Sequence, residues 1–410
     1  MRRRTPRADR PPLPAGFGVI WSTVAIDLVG FGIILPVLPQ YAERYGASPA
    51  TIGVLFASFS VAQLVFAPVW GAVSDRVGRK PVLIVSLAGT AVGSLVTGLA
   101  GSLPLLFAGR LLDGASGASV SVAQASAADL AGPGERARLF GLLGAAFGFG
   151  FVAGPALGAL ASLADPRLPF FVAAALAGAN ALIAVRRLPE TNRRHVRAMG
   201  RPNVVLADGI GAEGIGGLDP GAAVADPVGG PGQVRVTLVR LVVVAFGSLV
   251  AFSAFEATFA LFGERRLSFS PASTGVVFTV IGLVLVAVEG GLVRPTVRRL
   301  GETATLRLAL VVNAVGLLLL SAVHSWWLLV PALAALVVGQ GLAMPSLTAA
   351  TATVAPEHRR GGALGIQQSA GGLARVLGPL LGGLAFEHVG LPAPYIAGAA
   401  VMLLCAVILT

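Results

Sequence analysis

The run Gly71-Ala-Val-Ser-Asp75-Arg76-Val-Gly78-Arg79-Lys80-Pro81 gathers Asp75, Arg76, Arg79 and Lys80 into one short turn. On either side the chain is nearly free of charge for about 20 residues, the length a helix needs to cross a ~30 Å hydrocarbon core at ~1.5 Å per residue. A short basic turn between two such stretches is a hairpin on the cytoplasmic face of a membrane.

The whole chain shares this character. Its 410 residues are 55% hydrophobic and 12% charged, with mean hydropathy +0.83, against roughly 25% charged in soluble domains. Most of the surface therefore faces lipid or other lipid-embedded helices. A net charge of +11 would suggest nucleic acid in a soluble protein. Here the basic residues sit in alternate loops, and no nucleic-acid partner is expected. The one cysteine, Cys405, excludes a disulfide framework and a cysteine-based metal cluster, so neither metal nor cofactor is expected. The basic start MRRRTPRADR is followed by no small-residue cleavage site, so the first apolar run reads as a retained helix. Its alternative, a twin-arginine export signal, is opposed by eleven further apolar stretches.

Those stretches fall near 17–42, 50–72, 81–100, 104–127, 139–163, 168–187, 237–262, 272–297, 303–322, 326–350, 361–385 and 391–410. Lipid offers backbone groups no partner, so all of them are expected to be helices. Four basic residues, Arg44, Arg167, Arg265 and Arg266, lie in the odd-numbered hairpins, and Arg110 and Arg375 lie within spans. The other Lys and Arg fall on the side of the N-terminus, which places both termini in the cytoplasm of a bacterial inner membrane. The expected division is a basic N-terminus (1–16), a six-helix bundle (17–187), a linker (188–236) and a second six-helix bundle (237–410).

The linker opens with Arg193, Arg194, Arg197 and Arg201 and continues as a Gly/Pro/Ala/Asp stretch without periodicity. Such a composition buries too little apolar surface to offset its ordering entropy, so a flexible segment is expected. Its Gly209-Ile-Gly211-Ala-Glu-Gly214 is a formal G-x-G-x-x-G with neither the strand before nor the helix after that a dinucleotide site requires.

The bundles repeat. Asp75-Arg76-Val77-Gly78 is answered by Arg298-Arg299-Leu300-Gly301, Gly154-Pro155 by Gly378-Pro379 and Arg136 by Arg360, at separations of 223 or 224 residues. Agreeing offsets indicate two pseudo-symmetric bundles related by an axis along the membrane normal.

Ionisable residues inside the spans are the candidates for chemistry, because each is costly there unless paired or wet. Asp27 lies ten residues into the first span, ~15 Å deep and near the midplane. A carboxyl group there can bind and release a proton; a structural helix–helix hydrogen bond is the alternative. Pro36 and Pro39 loosen the outer half of that span. Arg110 and Asp113, three apart in GRLLDGASGAS, share a helix face with Gly114, Gly117 and Ser121, and either act on the proton site or neutralise each other. Glu256, Glu289 and Arg375, with Asn313 and Gln340 near mid-depth, are expected to face a central cavity. No histidine lies at mid-span, which argues against a histidine relay.

The hairpin resembles the G-x-x-x-D-R-x-G-R-[RK] loop of the major facilitator superfamily (MFS), on Gly71, Asp75, Arg76, Gly78, Arg79 and Lys80. The resemblance implies a twelve-helix, all-α carrier in which Asp75 meets the N-terminus of the eleventh helix near Gly361 and the loop acts as a cytoplasmic latch. In GLLGAAFGFGFVAGPALGAL, Gly150, Gly154, Pro155 and Gly158 resemble the G-x-x-x-G-P-x-x-G signature of its exporters, with Ala159 in place of the last glycine. The resemblance implies that this packing forms a hinge between the bundles. Arg110 and Gly114 resemble its fourth-helix R-x-x-x-G motif.

Residues 24 to 191 are similar to the tetracycline-resistance branch of the drug:proton antiporters, through LVGFGIILPVLPQY, FAPVWGAVSDRVGRKPVLIVSLAG, GRLLDGASGA, GERARLFGLLGAAFGFGFVAGPALG, PFFVAAALAGANAL and LPET. That branch carries aspartates where this chain has Gly93 and Asn313, so the resemblance does not bring tetracycline itself with it. Glu256 and Glu289, at different depths, suit a differently shaped or more lipophilic cation better. The reading is a monomeric exporter that exchanges a small amphiphilic compound for protons by alternating access, driven by the proton gradient with no cofactor. The alternatives are a proton-coupled nutrient importer, carriage of cargo only down its gradient, and a membrane sensor that kept the carrier fold. No nucleophile–base pair or phosphate loop marks an enzyme.

Overall fold

The structure, a computed structural model, describes residues 12–132, 135–192, 231–356 and 359–410. Every regular element among them is a helix. In chain order these are α1 (Phe17–Ile34), α2 (Leu38–Glu43), α3 (Pro49–Val77), α4 (Arg79–Gly98), α5 (Leu103–Ser116), α6 (Ser119–Leu130), α7 (Arg136–Ser162), α8 (Leu168–Arg187) and α9 (Pro231–Leu267). They continue with α10 (Pro271–Gly291), α11 (Val293–Leu300), α12 (Glu302–Ser321), α13 (Trp326–Val354), α14 (Arg360–His388) and α15 (Ala393–Ile408). Ten of these helices are long and apolar enough to cross a membrane. The α5–α6 pair and the shorter α15 occupy the other two apolar stretches.

Three stretches are broken. Pro36 and Pro39 separate α1 from α2, as expected, because proline lacks the N–H that the ladder needs. Two further breaks depart from the continuous spans read at 104–127 and 272–297. Gly117 leaves the helical region at φ −69°, ψ 52° and ends α5. Pro295 cannot donate to the carbonyl four residues back, and the helical ladder lapses at Leu292, whose backbone stays in the right-handed region, between α10 and α11.

The linker boundaries also differ from expectation. Residues 231–236 are already helical, in α9. Residues 188–192 are non-helical, and Leu188, Thr191 and Asn192 are buried against the body of the protein. Residues 193–230, with the Gly209–Gly214 motif, and residues 1–11 lie outside the described residues.

The sequence repeat is written in the backbone. Ser48-Pro49 opens α3, with the serine hydroxyl accepting from the Thr51 N–H; Ser270-Pro271 opens α10 with a reciprocal Ser270–Ser273 capping box. Gly78 (φ 106°, ψ 159°) and Gly301 (φ 81°, ψ 169°) make the same left-handed turn after the second span of each half.

Within the first half α1 packs on α7 and α8, and α4 on α5 and α8. Within the second α9 packs on α14 and α15, and α12 on α13 and α15. The halves meet where α3 crosses α14 and α7 crosses α10. Both crossings are glycine seats. A side-chain carbon at Gly275 would lie 2.8 Å from the Pro155 carbonyl oxygen and the Ala159 methyl, and one at Gly53 would collide with the Pro379 carbonyl.

These seats hold the halves together at the end away from the termini. There Gln40 Nε2 donates to the Phe269 carbonyl at 3.1 Å, Arg265 meets Glu43 at 3.0 Å, and Ala50 N–H donates to Glu387 at 2.8 Å. One hydrophobic cluster spans both halves at this end, whereas a second, built from Phe17, Ile20, Leu83, Val122 and Leu139, belongs to the first half alone. At the terminus end the same helix faces have parted, and no described residue fills the space beside Gly141 and Gly144 on α7 or Gly361, Gly362 and Gly365 on α14. Among the described residues the molecule is closed at one end and open at the other.

Candidate functional site

Asp27 is half-buried on α1 and accepts a hydrogen bond from the Ser119 hydroxyl. Ser119 is the first residue of α6, so the break after Gly117 turns a helix N-terminus, with its unpaired N–H groups and positive dipole end, toward the carboxylate. Sequence reading found Asp27 but not its partner, since nothing in GRLLDGASGASVSV marks where the helix breaks.

Next to it lies a buried ion pair. Arg110, 2% exposed, meets Asp113 at 2.8 Å, and its guanidinium lies 4.3 Å from the centre of the Phe59 ring. Two desolvated charges persist in such a place only when paired, and the ring face adds a cation–π contact. The Arg110 Nε is left without a hydrogen-bond partner.

The glycine face of α7 holds α1 from the other side. Gly150 abuts Leu28, Gly154 abuts Gly32 and Val29, and Gly158 abuts Ile33, each so closely that a methyl group would be 2.6–2.7 Å from the facing atom. This corrects the expected hinge: Gly150, Gly154 and Gly158 bind the two helices within one half. The neighbouring face, ~100° round the helix, makes the contact between halves through Phe151, Pro155 and Ala159 against Gly275 and Gly282 of α10. Ala159 is accommodated because its partner there is a glycine.

In the second half Glu256 on α9 is half-buried and feels the charge of Arg375 on α14, an exposed residue. Gly371, Gly378 and Gly382 turn toward α9, and Gly372, Pro379 and Gly383 toward α3. Residue 375 falls between these two faces at 100° per residue, so Arg375 points into the space between the halves. Glu289 is exposed, one turn beyond Val286, the residue that touches Gly148. It lies where α7 and α10 part. Asn313 and Gln340 are corrected: 1% and 6% exposed, they hydrogen-bond each other at 3.2 Å between α12 and α13. Two carboxamides that satisfy each other join helices and need no cavity.

The hairpin is stapled by residues that sequence reading passed over. The Glu190 carboxylate accepts from the N–H groups of Arg79 (2.9 Å) and Lys80 (3.1 Å), capping α4. Asn192 donates to the Asp75 carbonyl at 3.0 Å, and Arg79 reaches Asp75 at 2.7 Å and Asp129 at 3.0 Å. Gly78 is required twice, by its positive φ and because a side chain would strike Glu190. The Asp75 side chain is 65% exposed and turned to Arg79. The contact with the eleventh span near Gly361, implied by the resemblance, is therefore not the one Asp75 makes in this open-ended state. Arg76 is exposed, and Gly71 has open space around it.

A helical membrane protein built of two repeated halves, with ionisable groups held inside its spans, has the build of a carrier and not of an enzyme. The sequence profile of the Major Facilitator Superfamily matches residues 20–312 and 293–410. The class G tetracycline resistance protein of Vibrio anguillarum is 32% identical over 373 residues, covering 87% of this chain and 86% of its own length. Multidrug resistance protein 2 of Bacillus subtilis is 29% identical, with 90% and 88% covered. The crystal structure of the human organic anion transporter MFSD10 superimposes with a TM-score of 0.69 at 27% identity, over 98% of this chain and all of that one. The chain belongs to the Major Facilitator Superfamily and, within it, to the tetracycline-resistance-like branch of the drug:proton antiporter family.

Proposed function

We propose that this transporter exports a small amphiphilic compound across a bacterial inner membrane in exchange for protons, with both termini in the cytoplasm. The observation that carries the proposal is the Asp27 carboxyl group, set at mid-depth in α1, hydrogen-bonded to Ser119 and close to the buried Arg110–Asp113 pair. Protons enter and leave there, and Arg110–Asp113 supplies the neighbouring fixed charges. Residues 17–187 and 237–410 rock against each other about the crossings α3/α14 and α7/α10, working as a monomer. In this state the terminus end, hence the cytoplasmic side, is open for loading, and the hairpin latch is released. The test is a compound screen in inside-out vesicles holding a pH-sensitive dye. Cargo-dependent proton release from acidified vesicles supports the reading; its absence with every cargo that binds overturns it.

One observation favours a particular kind of cargo. Arg375 places a cation in the interhalf space beside Glu256, a pair matched to a molecule with an anionic group and a second, basic one. The human relative is described as an organic anion transporter, which agrees with the arginine. Binding of carboxylate-bearing compounds lost in Arg375→Gln, with neutral ones retained, is the expected result. Equal loss of both would remove the arginine from cargo recognition.

A further inference from the structure

A cavity at the closed end has no part in the site described above. It measures about 390 Å³, opens to the surface, and is lined by Gln40, Glu43 and Arg44 from the first half and by Glu264, Phe269 and Ser270 from the second. Gln40 is 7% exposed; its Nε2 bonds Phe269, while its Oε1 is buried without a partner. Glu264 Oε2 is buried and unpartnered as well. Glu43 and Glu264 line this cavity from opposite sides of the seam, and each feels the other's charge.

Two ionised carboxylates are acceptors only and cannot bond to each other. One shared proton makes the pair a donor and an acceptor and ties α2 to α9; without it, like charges repel at contact. The charged groups around the pair are Arg265, which holds Glu43 and lies 5.2 Å from the Phe386 ring, and Arg44. Glu387, bonded to Ala50, and His388 end α14. The start of α10 offers only Ser270 and Ser273. Arg265 already pairs with Glu43, so the unpartnered Glu264 oxygen is the group that calls for a cation, and a single proton suffices for it.

We propose that Glu43 and Glu264 form a proton-binding clasp on the gate opposite the termini. The gate is held shut while they share one proton and loosens when that proton leaves. Protons arriving from the outer side thus close the outer door behind them. This rests on the reading that the closed end is a gate in alternating access, but its experiment reads the gate with no cargo present.

Leu163 and Val389, 72% and 79% exposed, end α7 and α14 on opposite halves at the closed end of the molecule. Nitroxide labels on Leu163→Cys and Val389→Cys, in a Cys405→Ala and Asp27→Asn background in lipid nanodiscs, report the gate width by pulsed electron resonance. Between pH 5 and pH 9 the wide-distance population is expected to rise at least threefold. Glu264→Gln, whose amide donates to Glu43 at every pH, is expected to keep the short distance throughout. Arg265→Gln should widen the distribution at all pH values yet keep its pH dependence. A distance that ignores pH in the parent, or that titrates unchanged in Glu264→Gln, overturns the clasp. If Glu264→Gln fails to insert, Glu43→Gln replaces it with the same expectation.

Discussion

Ser119 donates its hydroxyl proton to Asp27 from the first turn of α6, across the break that separates α6 from α5. The chain gives up helical hydrogen bonds at Gly117 and gains a donor aimed at a carboxylate in the membrane interior. The break is thus tied to the proton site, and it gives the first prediction two arms. Asp27→Asn keeps the shape and the Ser119 contact but removes titration, so proton-coupled export is expected to vanish while the protein still inserts. Ser119→Ala removes one hydrogen bond to a charged group, worth about 1.5–3 kcal/mol, and turnover should fall on the order of tenfold. Uphill transport by Asp27→Asn at the unmodified rate would move the proton carrier elsewhere.

The hairpin prediction concerns rate and not affinity. Asp75 and Glu190 lie at a helix end too far from mid-depth to touch cargo, so they can act only on the balance between states. Asp75→Asn is expected to slow turnover several-fold with cargo affinity nearly unchanged. Glu190→Ala uncaps α4, which costs about 1–2 kcal/mol, and should both lower thermal stability and slow turnover. Loss of cargo binding with normal exchange kinetics in either variant would contradict a role in the state equilibrium.

The crossing of α7 with α10 gives a third. Pro155 leaves the Phe151 carbonyl without its helical partner, and Gly282 packs on it so closely that a side-chain carbon would sit 2.5 Å from that oxygen. Gly282→Leu cannot close this seam without moving a helix. Exchange should fall at least tenfold in a variant that still inserts, because the closed outer end is a state every cycle must visit. Exchange at the unmodified rate would show that the crossing does not move as described.

Twelve apolar stretches were legible because lipid leaves the backbone one solution, and the repeat was legible because glycines with positive φ cannot drift. Asp27, Arg110 and Asp113 were legible because charge in an apolar run needs a reason. What sequence could not show is which neighbour each group meets. Gly150 and Pro155 lie five residues apart, yet they face different helices, and only the packing reveals that the glycines bind α1 while Pro155 faces α10. Asn313 and Gln340 looked like cavity groups until their mutual bond appeared. Glu190 sat in a stretch read as flexible, since a carboxylate that caps a distant helix leaves no periodic mark.

The last prediction concerns cargo. This chain should export tetracycline–magnesium poorly, although relatives 32% identical are tetracycline resistance proteins. A metal-bound cationic cargo needs acids along its route, and Gly93 and Asn313 stand where the branch it resembles has two of them. The structure adds a reason for the first. A side-chain carbon at Gly93 would lie 2.8 Å from the Cβ and the backbone nitrogen of Asp113 and 2.9 Å from the Gly109 carbonyl. That contact holds α4 tightly against α5, beside the buried Arg110–Asp113 pair. Gly93→Asp therefore cannot restore the route by itself. Overpacking of this kind costs about 1–3 kcal/mol, and the added charge would sit next to the Asp113 carboxylate. The expected outcome is lower abundance and no gain in tetracycline protection, scored in a pump-deficient bacterial host beside lipophilic cations, organic anions and phenicols. Strong tetracycline resistance from the unmodified chain at normal expression would show that other acids serve the metal complex. A gain in Gly93→Asp would show that the α4–α5 contact yields more easily than its geometry allows.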